Sequence, residues 1–157
     1  MKIGIGYDIH RLDKGRQMVI GGVKIPCDRG PIGHSDGDVL LHALCDAILG
    51  AMGEGDIGMK FPDTDPRYKD ASSMGFLDEV AGSMRGKGFK PGNVDCIVIT
   101  EEPRLGPYRD GMKKNISVAL GIRQDDVNIK GKTSEAMGDI GEKKAMAAYV
   151  VVTLIKE

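Results

Sequence analysis

The sequence predicts a single-domain α+β protein, with a mixed β-sheet that carries its helices on one face. The chain has 157 residues and 41% hydrophobic content, which suits one domain over residues 1–157. Its periodic segments follow the order β-β-α-α-β-α-β-β, and the last segment contains a β-branched run that is typical of a strand. This order favours a layer of strands packed against a layer of helices.

The individual elements follow from the spacing of apolar residues along the chain. Met1–Tyr7 alternates apolar and small residues, and residues 17–26 hold two short apolar runs, which predict a bent strand or a hairpin. From Val39 the apolar residues recur at helical spacing, with Asp36 or Asp38 as the N-cap. The other predictions are a long ordered loop over Gly53–Pro66, helices over Ala71–Lys87 and Arg109–Leu120 that end before Gly88 and Gly121, and strands over Asn93–Thr100, Val127–Lys132 and Ala145–Lys156.

The final predicted strand, Ala145–Lys156, is apolar on both faces. Such a strand is either covered on both sides within its own chain or has one side buried by another subunit. Because the sequence shows only three substantial helices, we expect oligomerisation to cover the second face.

Composition excludes several classes of partner. The chain has 22 basic and 23 acidic residues with no basic stripe, so nucleic acid is not an expected partner. The longest nearly apolar run, 145–155, is too short for a membrane span, and the N-terminus lacks the apolar core of a signal peptide. Three cysteines without C-x-x-C spacing indicate neither disulfides nor a thiolate zinc site, which favours a cytoplasmic protein.

Asp8, His10 and His42 are candidate metal ligands. Side chains at positions i and i+2 of a strand share a face, so Asp8 and His10 can act together, while His42 lies on the first helix. One carboxylate with two imidazoles leaves coordination positions open, as in catalytic zinc sites. A lone histidine is more often a surface or core residue, so the prediction depends on the three together. Asp46, one turn beyond His42, can orient that imidazole or simply face solvent.

Three nucleotide-binding or calcium-binding motifs fail at a required glycine, whose place is taken by Ile9, Tyr68 or Asp126. Two less regular loops remain, Asp56–Asp65 and Lys130–Glu135. They combine backbone N–H groups, hydroxyls, lysines and a carboxylate, a set that can bind phosphate and its magnesium ion. Ordinary solvated turns are the alternative for each loop.

Several segments of the chain are long and specific to one family: Ile3–Arg11, Gly33–His42, Gly55–Gly58, Phe61–Pro66, Asn93–Asp95, Pro103–Leu105 and Lys130–Glu135. With these segments the sequence resembles the 2-C-methyl-D-erythritol 2,4-cyclodiphosphate synthases nearly from end to end. The resemblance implies a homotrimer around a threefold axis, in a ferredoxin-like or chorismate-mutase-like arrangement, with active sites between adjacent subunits.

The resemblance also implies a reaction and a set of roles. The 2-phosphate of 4-diphosphocytidyl-2-C-methyl-D-erythritol 2-phosphate would attack the β-phosphorus and expel CMP, a step of non-mevalonate isoprenoid synthesis. Asp8, His10 and His42 would hold one zinc ion per subunit, or another divalent metal, and Glu135 would hold magnesium with the substrate diphosphate. His34 and Thr133 would stabilise the transition state. The implied substrate contacts are Asp8, His10, His34 and Ser35 near the phosphate of the erythritol portion, Asp56, Ile57, Gly58, Phe61, Pro62, Asp63, Thr64 and Asp65 near its hydroxyls, Thr100, Glu101, Glu102, Pro103, Arg104, Leu105 and Gly106 around cytosine, and Lys132, Thr133, Ser134 and Glu135 at the diphosphate.

Two residues depart from the pattern of the family. Asp139 and Glu142 stand where an aromatic residue and an arginine are usual, at positions that face the axial cavity of the trimer. Three copies of Glu142 would repel one another there, unless Lys143 and Lys144 turn inward, a glutamate is protonated, or the segment rotates outward. We therefore do not expect a diphosphate ligand in that cavity. Two other functions stay open: a zinc-dependent phosphohydrolase and a non-catalytic cytidine-nucleotide-binding protein.

Overall fold

The structure describes residues 1–156, which contain seven strands, five α-helices and three short 3₁₀ helices. The computed structural model places the strands at β1 (Lys2–Lys14), β2 (Met18–Ile20), β3 (Val23–Ile25), β4 (Arg29–Pro31), β5 (Phe89–Ile99), β6 (Val127–Lys132) and β7 (Ala145–Lys156). The helices are α1 (Val39–Met52), α2 (Ile57–Lys60), α3 (Ser73–Gly86), α4 (Arg109–Leu120) and α5 (Gly138–Gly141). None of these helices is long and apolar enough to cross a membrane.

Five strands form one mixed sheet in the order β4-β1-β7-β5-β6, and β2 and β3 form a separate hairpin. Strand β7 is antiparallel to both β1 and β5, while β5 and β6 are parallel. Strands β1, β5 and β6 therefore run in one direction. Ile9 of β1 and Ile99 of β5 both pair with Ala147, so His10 of β1 and Thr100, which directly follows β5, come one residue further along at the same end of the sheet.

One face of the sheet forms the core and the other face is open. In β7, Val150, Val152 and Leu154 point into a core that the helices cover, and all three are fully buried. On the opposite face Tyr149 and Val151 are exposed, together with Ile3, Ile5, Tyr7, Ile9 and Ile155. The predicted fold class, with helices on one face, and the prediction that the last strand is apolar on both faces are confirmed. Sheet positions alternate between faces, so these side chains form one apolar surface.

Several predicted bounds were wrong, each because of a local hydrogen bond or pairing. Strand β1 continues past Tyr7 because it pairs with β7 as far as Arg11 and then with β4. Strand β5 begins before Asn93, since its first residues pair with β7 beyond a bulge. The predicted loop 53–66 contains the short helix α2, and helix α3 begins at Ser73, after its cap Ser72, rather than at Ala71. Strand β4 and helix α5 were not predicted.

Asp38, rather than Asp36, caps helix α1. Its carboxylate accepts the backbone N–H of Leu41 at 3.1 Å, of Gly21 at 3.0 Å and of Gly22 at 2.7 Å. The side chain is fully buried, and this burial raises its pKa to about 6 although the N–H donors lower it. The three hydrogen bonds tie the turn between β2 and β3 to the start of α1. They fix the position of the helix that carries His42.

Candidate active site

Two glycines of β1 let helix α1 lie directly against the strand. A Cβ atom on Gly4 would lie 1.8 Å from the carbonyl oxygen of Ala47, and one on Gly6 would lie 1.8 Å from that of Ala43. Both distances are far below van der Waals contact, so any side chain would displace the helix. The close approach brings His42 of α1 within reach of the strand.

Asp8, His10 and His42 meet beside this contact. Asp8 Oδ2 lies 2.9 Å from His10 Nε2 and 3.1 Å from His42 Nδ1, and the two ring nitrogens are 3.1 Å apart. The side chains of His10 and His42 are only 16% and 12% exposed. The predicted shared face of Asp8 and His10 is confirmed, and the fold adds His42 to it.

The main-chain carbonyl of Ile32 sets the orientation of His10. His10 Nδ1 lies 2.9 Å from that oxygen, and because a carbonyl only accepts, Nδ1 carries the proton. His10 Nε2 then presents a lone pair to Asp8 and His42. Burial by itself raises the pKa of Asp8 and lowers that of His10, but the hydrogen bonds between the carboxylate and the imidazoles reverse both effects. The cluster therefore favours a positive charge at its centre, from a proton or a metal cation.

The three donor atoms fit a divalent metal ion. With metal–ligand distances of about 2.0–2.2 Å, the donors of a tetrahedral zinc site lie roughly 3.3–3.6 Å apart. The observed separations of 2.9–3.1 Å reach this geometry with shifts of a few tenths of an ångström. One carboxylate oxygen and two imidazole nitrogens leave a coordination position for a substrate oxygen.

A cavity of about 450 Å³ lies in front of His10 and His42. Thr64, which the resemblance also places at the substrate, is exposed and is not part of its lining. The cavity brings together most of the other residues expected at the erythritol portion of the substrate, namely His34, Ser35, Ile57, Gly58, Phe61, Pro62 and Asp63.

The two remaining carboxylates of this region hold the cavity wall in shape. Asp56 caps helix α2 by accepting the N–H of Met59 at 2.8 Å. Asp65 forms an ion pair of 2.6 Å with Arg67, and its carbonyl lies 3.2 Å from His34 Nε2. The predicted loop 56–65 is therefore an ordered segment beside the cluster.

Sequence reasoning expected Phe61 at this cavity but missed its two aromatic neighbours, Tyr68 and Phe76. Phe61 stacks on Phe76 of α3 with ring centroids 4.5 Å apart, and Tyr68 packs edge-on against both rings. Phe76 recurs with other apolar residues at helical spacing, so the pattern marks it as a core residue only. The three rings anchor the loop to α3.

A second cavity, of about 300 Å³, lies where β5 and β6 end. The other residues expected near the nucleotide, Glu102, Gly106, Ser134 and Glu135, adjoin this lining in sequence. The lining comprises Thr100, Glu101, Pro103, Arg104, Leu105, Arg109, Gly131, Lys132 and Thr133.

Polar side chains of the segment 100–102 bind neighbouring parts of the protein. Glu101 Oε1 accepts the N–H of Ser134 at 2.6 Å, and Glu102 Oε1 accepts Lys143 Nζ at 2.6 Å. The Thr100 hydroxyl donates to the carbonyl of Glu102. These bonds hold the segment in place at the edge of the second cavity.

The loop after β6 is exposed and conformationally strained. Glu135 and Ala136 have φ of 52° and 58°, in the left-handed region that non-glycine residues rarely occupy. The Thr133 hydroxyl donates to Glu135 Oε1 at 3.2 Å, and Glu101 holds the N–H of Ser134. The loop thus presents the Thr133 hydroxyl and the Glu135 carboxylate side by side.

The structure gives Asp46 a role that the sequence did not indicate. Asp46 Oδ1 accepts the N–H of Ile57 at 2.7 Å and so secures the start of α2. His42 Nε2 instead lies 2.8 Å from the Ser73 hydroxyl and 3.1 Å from the Ser35 hydroxyl. The alternatives of a carboxylate that orients His42 and one that faces solvent were therefore both wrong.

The segment with Asp139 and Glu142 carries its own countercharges. Lys144 forms an ion pair with Glu142, and their hydrogen bond lowers the pKa of Glu142. Lys143 pairs with Glu102. The sequence left several ways to offset the negative charge of Glu142. This arrangement favours pairing with a neighbouring lysine over protonation of Glu142.

The fold and the Asp–His–His cluster together define a metal-dependent α+β enzyme. The model of the YgbB family matches residues 1–155. The 2-C-methyl-D-erythritol 2,4-cyclodiphosphate synthase of Caldicellulosiruptor bescii is 50% identical over 153 residues, which are 98% of each chain. The chain therefore belongs to the YgbB family and is a cyclodiphosphate synthase of that family.

Solved structures agree with this assignment. The CDP complex of IspF from Plasmodium falciparum superimposes with a TM-score of 0.87 at 39% identity, covering 99% of this chain and 96% of that one. The bifunctional IspDF from Campylobacter jejuni gives a TM-score of 0.95 at 40% identity over 99% of this chain. This chain spans only 42% of that bifunctional protein.

Proposed function

We propose that this synthase converts 4-diphosphocytidyl-2-C-methyl-D-erythritol 2-phosphate to the 2,4-cyclodiphosphate and CMP in a site shared by two subunits of a homotrimer. The observation that carries the proposal is the convergence of Asp8, His10 and His42 within 3.1 Å of one another at the wall of a cavity. The attacking and leaving groups belong to one substrate molecule, so the protein acts by positioning and by stabilising charge.

The cavity in front of His10 and His42, the metal-side cavity, would hold the erythritol 2-phosphate. When bound, a zinc or other divalent ion at Asp8, His10 and His42 and a magnesium ion at Glu135 would supply positive charge to the crowded phosphates. His34 and Ser35 line the same cavity and would donate hydrogen bonds to phosphate oxygens. The other substrate contacts in this half are Asp56, Ile57, Gly58 and Phe61–Asp65, which would fix the hydroxyls.

The second cavity would hold the cytidine and the diphosphate. Its backbone segment 100–106 would bind the cytosine, while Lys132, Thr133, Ser134 and Glu135 would meet the phosphates. The Thr133 hydroxyl would donate to an oxygen that gains charge as the β-phosphorus is attacked. Arg104 would provide a further positive charge beside the nucleotide.

The two cavities are separate in a single chain, which supports a site completed by a second subunit. They share no lining residue, and β1 and β6 are separated by three strand spacings, about 14 Å. The open apolar face of the sheet offers a surface for subunit contact. A cyclic trimer with identical head-to-tail contacts would set the metal-side cavity of one subunit against the nucleotide cavity of the next.

Product analysis tests the proposed reaction. Purified protein is incubated with the substrate, Mg²⁺ and Zn²⁺ and followed by phosphorus NMR, and we expect a cyclic diphosphate and stoichiometric CMP. Linear phosphate release would indicate the phosphohydrolase, and binding without turnover would indicate the non-catalytic nucleotide-binding protein. Either outcome would overturn the proposed function.

Mixed trimers test the shared site. His42→Ala impairs the metal half and Thr133→Val the nucleotide half, so each variant alone is expected to be inactive or nearly so. If the halves come from different subunits, unfolding and refolding the two variants together at equal ratio leaves about a quarter of the sites intact. If both halves come from one chain, every site carries a lesion and no activity is regained. Self-mixed samples of each variant are the controls.

A further inference from the structure

A chain of hydrogen bonds extends behind His42, on the side away from Asp8. His42 Nε2 lies 2.8 Å from the Ser73 hydroxyl, and that hydroxyl donates to Asp36 Oδ1. Asp36 Oδ2 also accepts the backbone N–H of Ser73 at 3.0 Å, and Oδ1 accepts that of Asp38 at 3.1 Å. Ser73 is fully buried, so its hydroxyl is held without competition from bulk water.

The chemistry of these groups fixes the direction of each proton. An ionised carboxylate only accepts hydrogen bonds, so the Ser73 hydroxyl must donate to Asp36. The lone pairs of Ser73 Oγ are then left to accept, and His42 Nε2 is the donor beside them. His42 is thereby held as the Nε2–H tautomer, with the lone pair of Nδ1 directed at Asp8 and His10.

The Ser35 hydroxyl is a weaker candidate for this task. It lies 3.1 Å from His42 Nε2 and accepts the backbone N–H of Gly37 at 3.3 Å, but no carboxylate fixes its proton. The Ser73 hydroxyl is closer to His42. Ser73 is held by two hydrogen bonds to the Asp36 carboxylate, one from its hydroxyl and one from its backbone N–H. The tautomer is therefore set through Ser73.

We propose that Asp36 and Ser73 are positioning residues of the metal site, which select the metal-binding tautomer of His42. This inference rests on the proposed binding of a divalent ion by Asp8, His10 and His42. His10 needs the opposite tautomer, Nδ1–H, and the carbonyl of Ile32 selects it by accepting that proton. The two imidazoles thus obtain opposite tautomers, Nε2–H in His42 and Nδ1–H in His10, from different partners.

Zinc affinity is the first test, measured by competition with a chromophoric chelator. Ser73→Ala removes the acceptor of His42 and Asp36→Asn weakens its anchor, so we expect each to lower zinc affinity 10- to 100-fold. Ser72→Ala is the matched control, since this neighbouring exposed hydroxyl caps α3 by accepting the N–H of Met74 and does not contact His42. We expect it to lower thermal stability and leave zinc affinity unchanged. Ser73→Thr restores a hydroxyl and should recover most of the affinity.

Nitrogen-15 NMR of the imidazole rings reports the tautomer of His42 directly. If Ser73 and Asp36 had only a structural role, their replacement would leave that tautomer unchanged. In the metal-free wild-type protein we expect His42 to give the shifts of an Nε2–H imidazole, and in Ser73→Ala a mixture with the Nδ1–H form. A pure Nε2–H pattern with unchanged zinc affinity in Ser73→Ala and Asp36→Asn would overturn the inference. Failure of the proposed zinc site looks different, because the wild-type protein itself would then bind zinc no better than His10→Ala. Failure of the proposed reaction would show in the product analysis and would leave these zinc affinities unchanged.

Discussion

The two halves of the site differ in how they are held. Asp8, His10 and His42 lie on a long strand and a buried helix, and each imidazole has a fixed partner behind it. The loop 133–136 is largely exposed, lies outside regular structure, and has two residues with positive φ. The metal half is therefore preorganised by the core of one chain, whereas the nucleotide half depends on a strained surface segment.

This difference indicates what each half requires before catalysis. The metal half needs only a cation, since its donors already converge. The nucleotide half gains its remaining contacts from the substrate and, in the proposed trimer, from the neighbouring subunit. Perturbing the core should therefore damage metal binding, whereas perturbing the loop should damage turnover alone.

Removal of a metal ligand should give the largest effect. Asp8→Asn, His10→Ala and His42→Ala each remove one of three donors, so we expect bound zinc and activity to fall together, activity by on the order of 10³-fold or more. Elemental analysis with a turnover assay measures both. Full zinc occupancy in all three variants would contradict the assignment of the ligands.

Thr133→Val should slow turnover while zinc content stays at the wild-type level. The variant keeps the shape of the side chain and removes one donor to the developing charge, which typically costs about 10²–10³ in rate. The same separation of rate from zinc content is expected for His34→Ala. An unchanged rate in either variant would refute the catalytic role of that residue.

Gly6→Ala should show that helix packing builds the metal half. The new Cβ would lie 1.8 Å from the carbonyl of Ala43, so α1 must move away from β1 and take His42 with it. We expect a loss of at least about 3 kcal/mol in unfolding free energy, together with weaker zinc binding. Urea unfolding and zinc titration measure the two effects.

Gly50→Ala provides the control for that experiment. Gly50 is an exposed residue of the same helix, with no atom within 4 Å of a Cβ placed there. Alanine should raise helix stability by up to about 1 kcal/mol without changing zinc affinity. Equal behaviour of the two variants would contradict the packing role of Gly6.

The smallest expected effect concerns Asp139 and Glu142. With Glu142 in place of an arginine, the unmodified protein should bind geranyl diphosphate weakly, and Glu142→Arg should improve binding by about tenfold or more. Isothermal calorimetry measures both affinities. Tight binding by the unmodified protein that persists when Lys143 and Lys144 are replaced would show that the expectation was wrong.

The sequence predicted elements well wherever one local signal dominated. Helix α1 follows from its apolar period and its Asp38 cap, and β7 follows from its β-branched run. No local pattern indicated that β1 would expose Ile3 and Ile5 and bury the glycines that alternate with them. That choice depends on α1, because only glycine lets its backbone lie so close to the strand.

The chemistry of the candidate site was determined by the sequence itself. All three histidines fall near Asp8 or within the segment 33–42 that leads into α1, and residue type together with strand period suffices to propose a metal site. Short-range rules of this kind need no knowledge of the fold.

The partners that support these residues follow from the tertiary fold alone. Asp36 and Ser73 are separated by 37 positions in the sequence, and Asp46 secures Ile57 rather than His42. Such partners are set by the packing of α1, α3 and the intervening loop, and no local spacing encodes them. The physical reason is that a hydrogen bond between distant segments forms only where the packed core brings its donor and acceptor together. Residue propensities and the hydrophobic period describe local structure and do not specify that meeting.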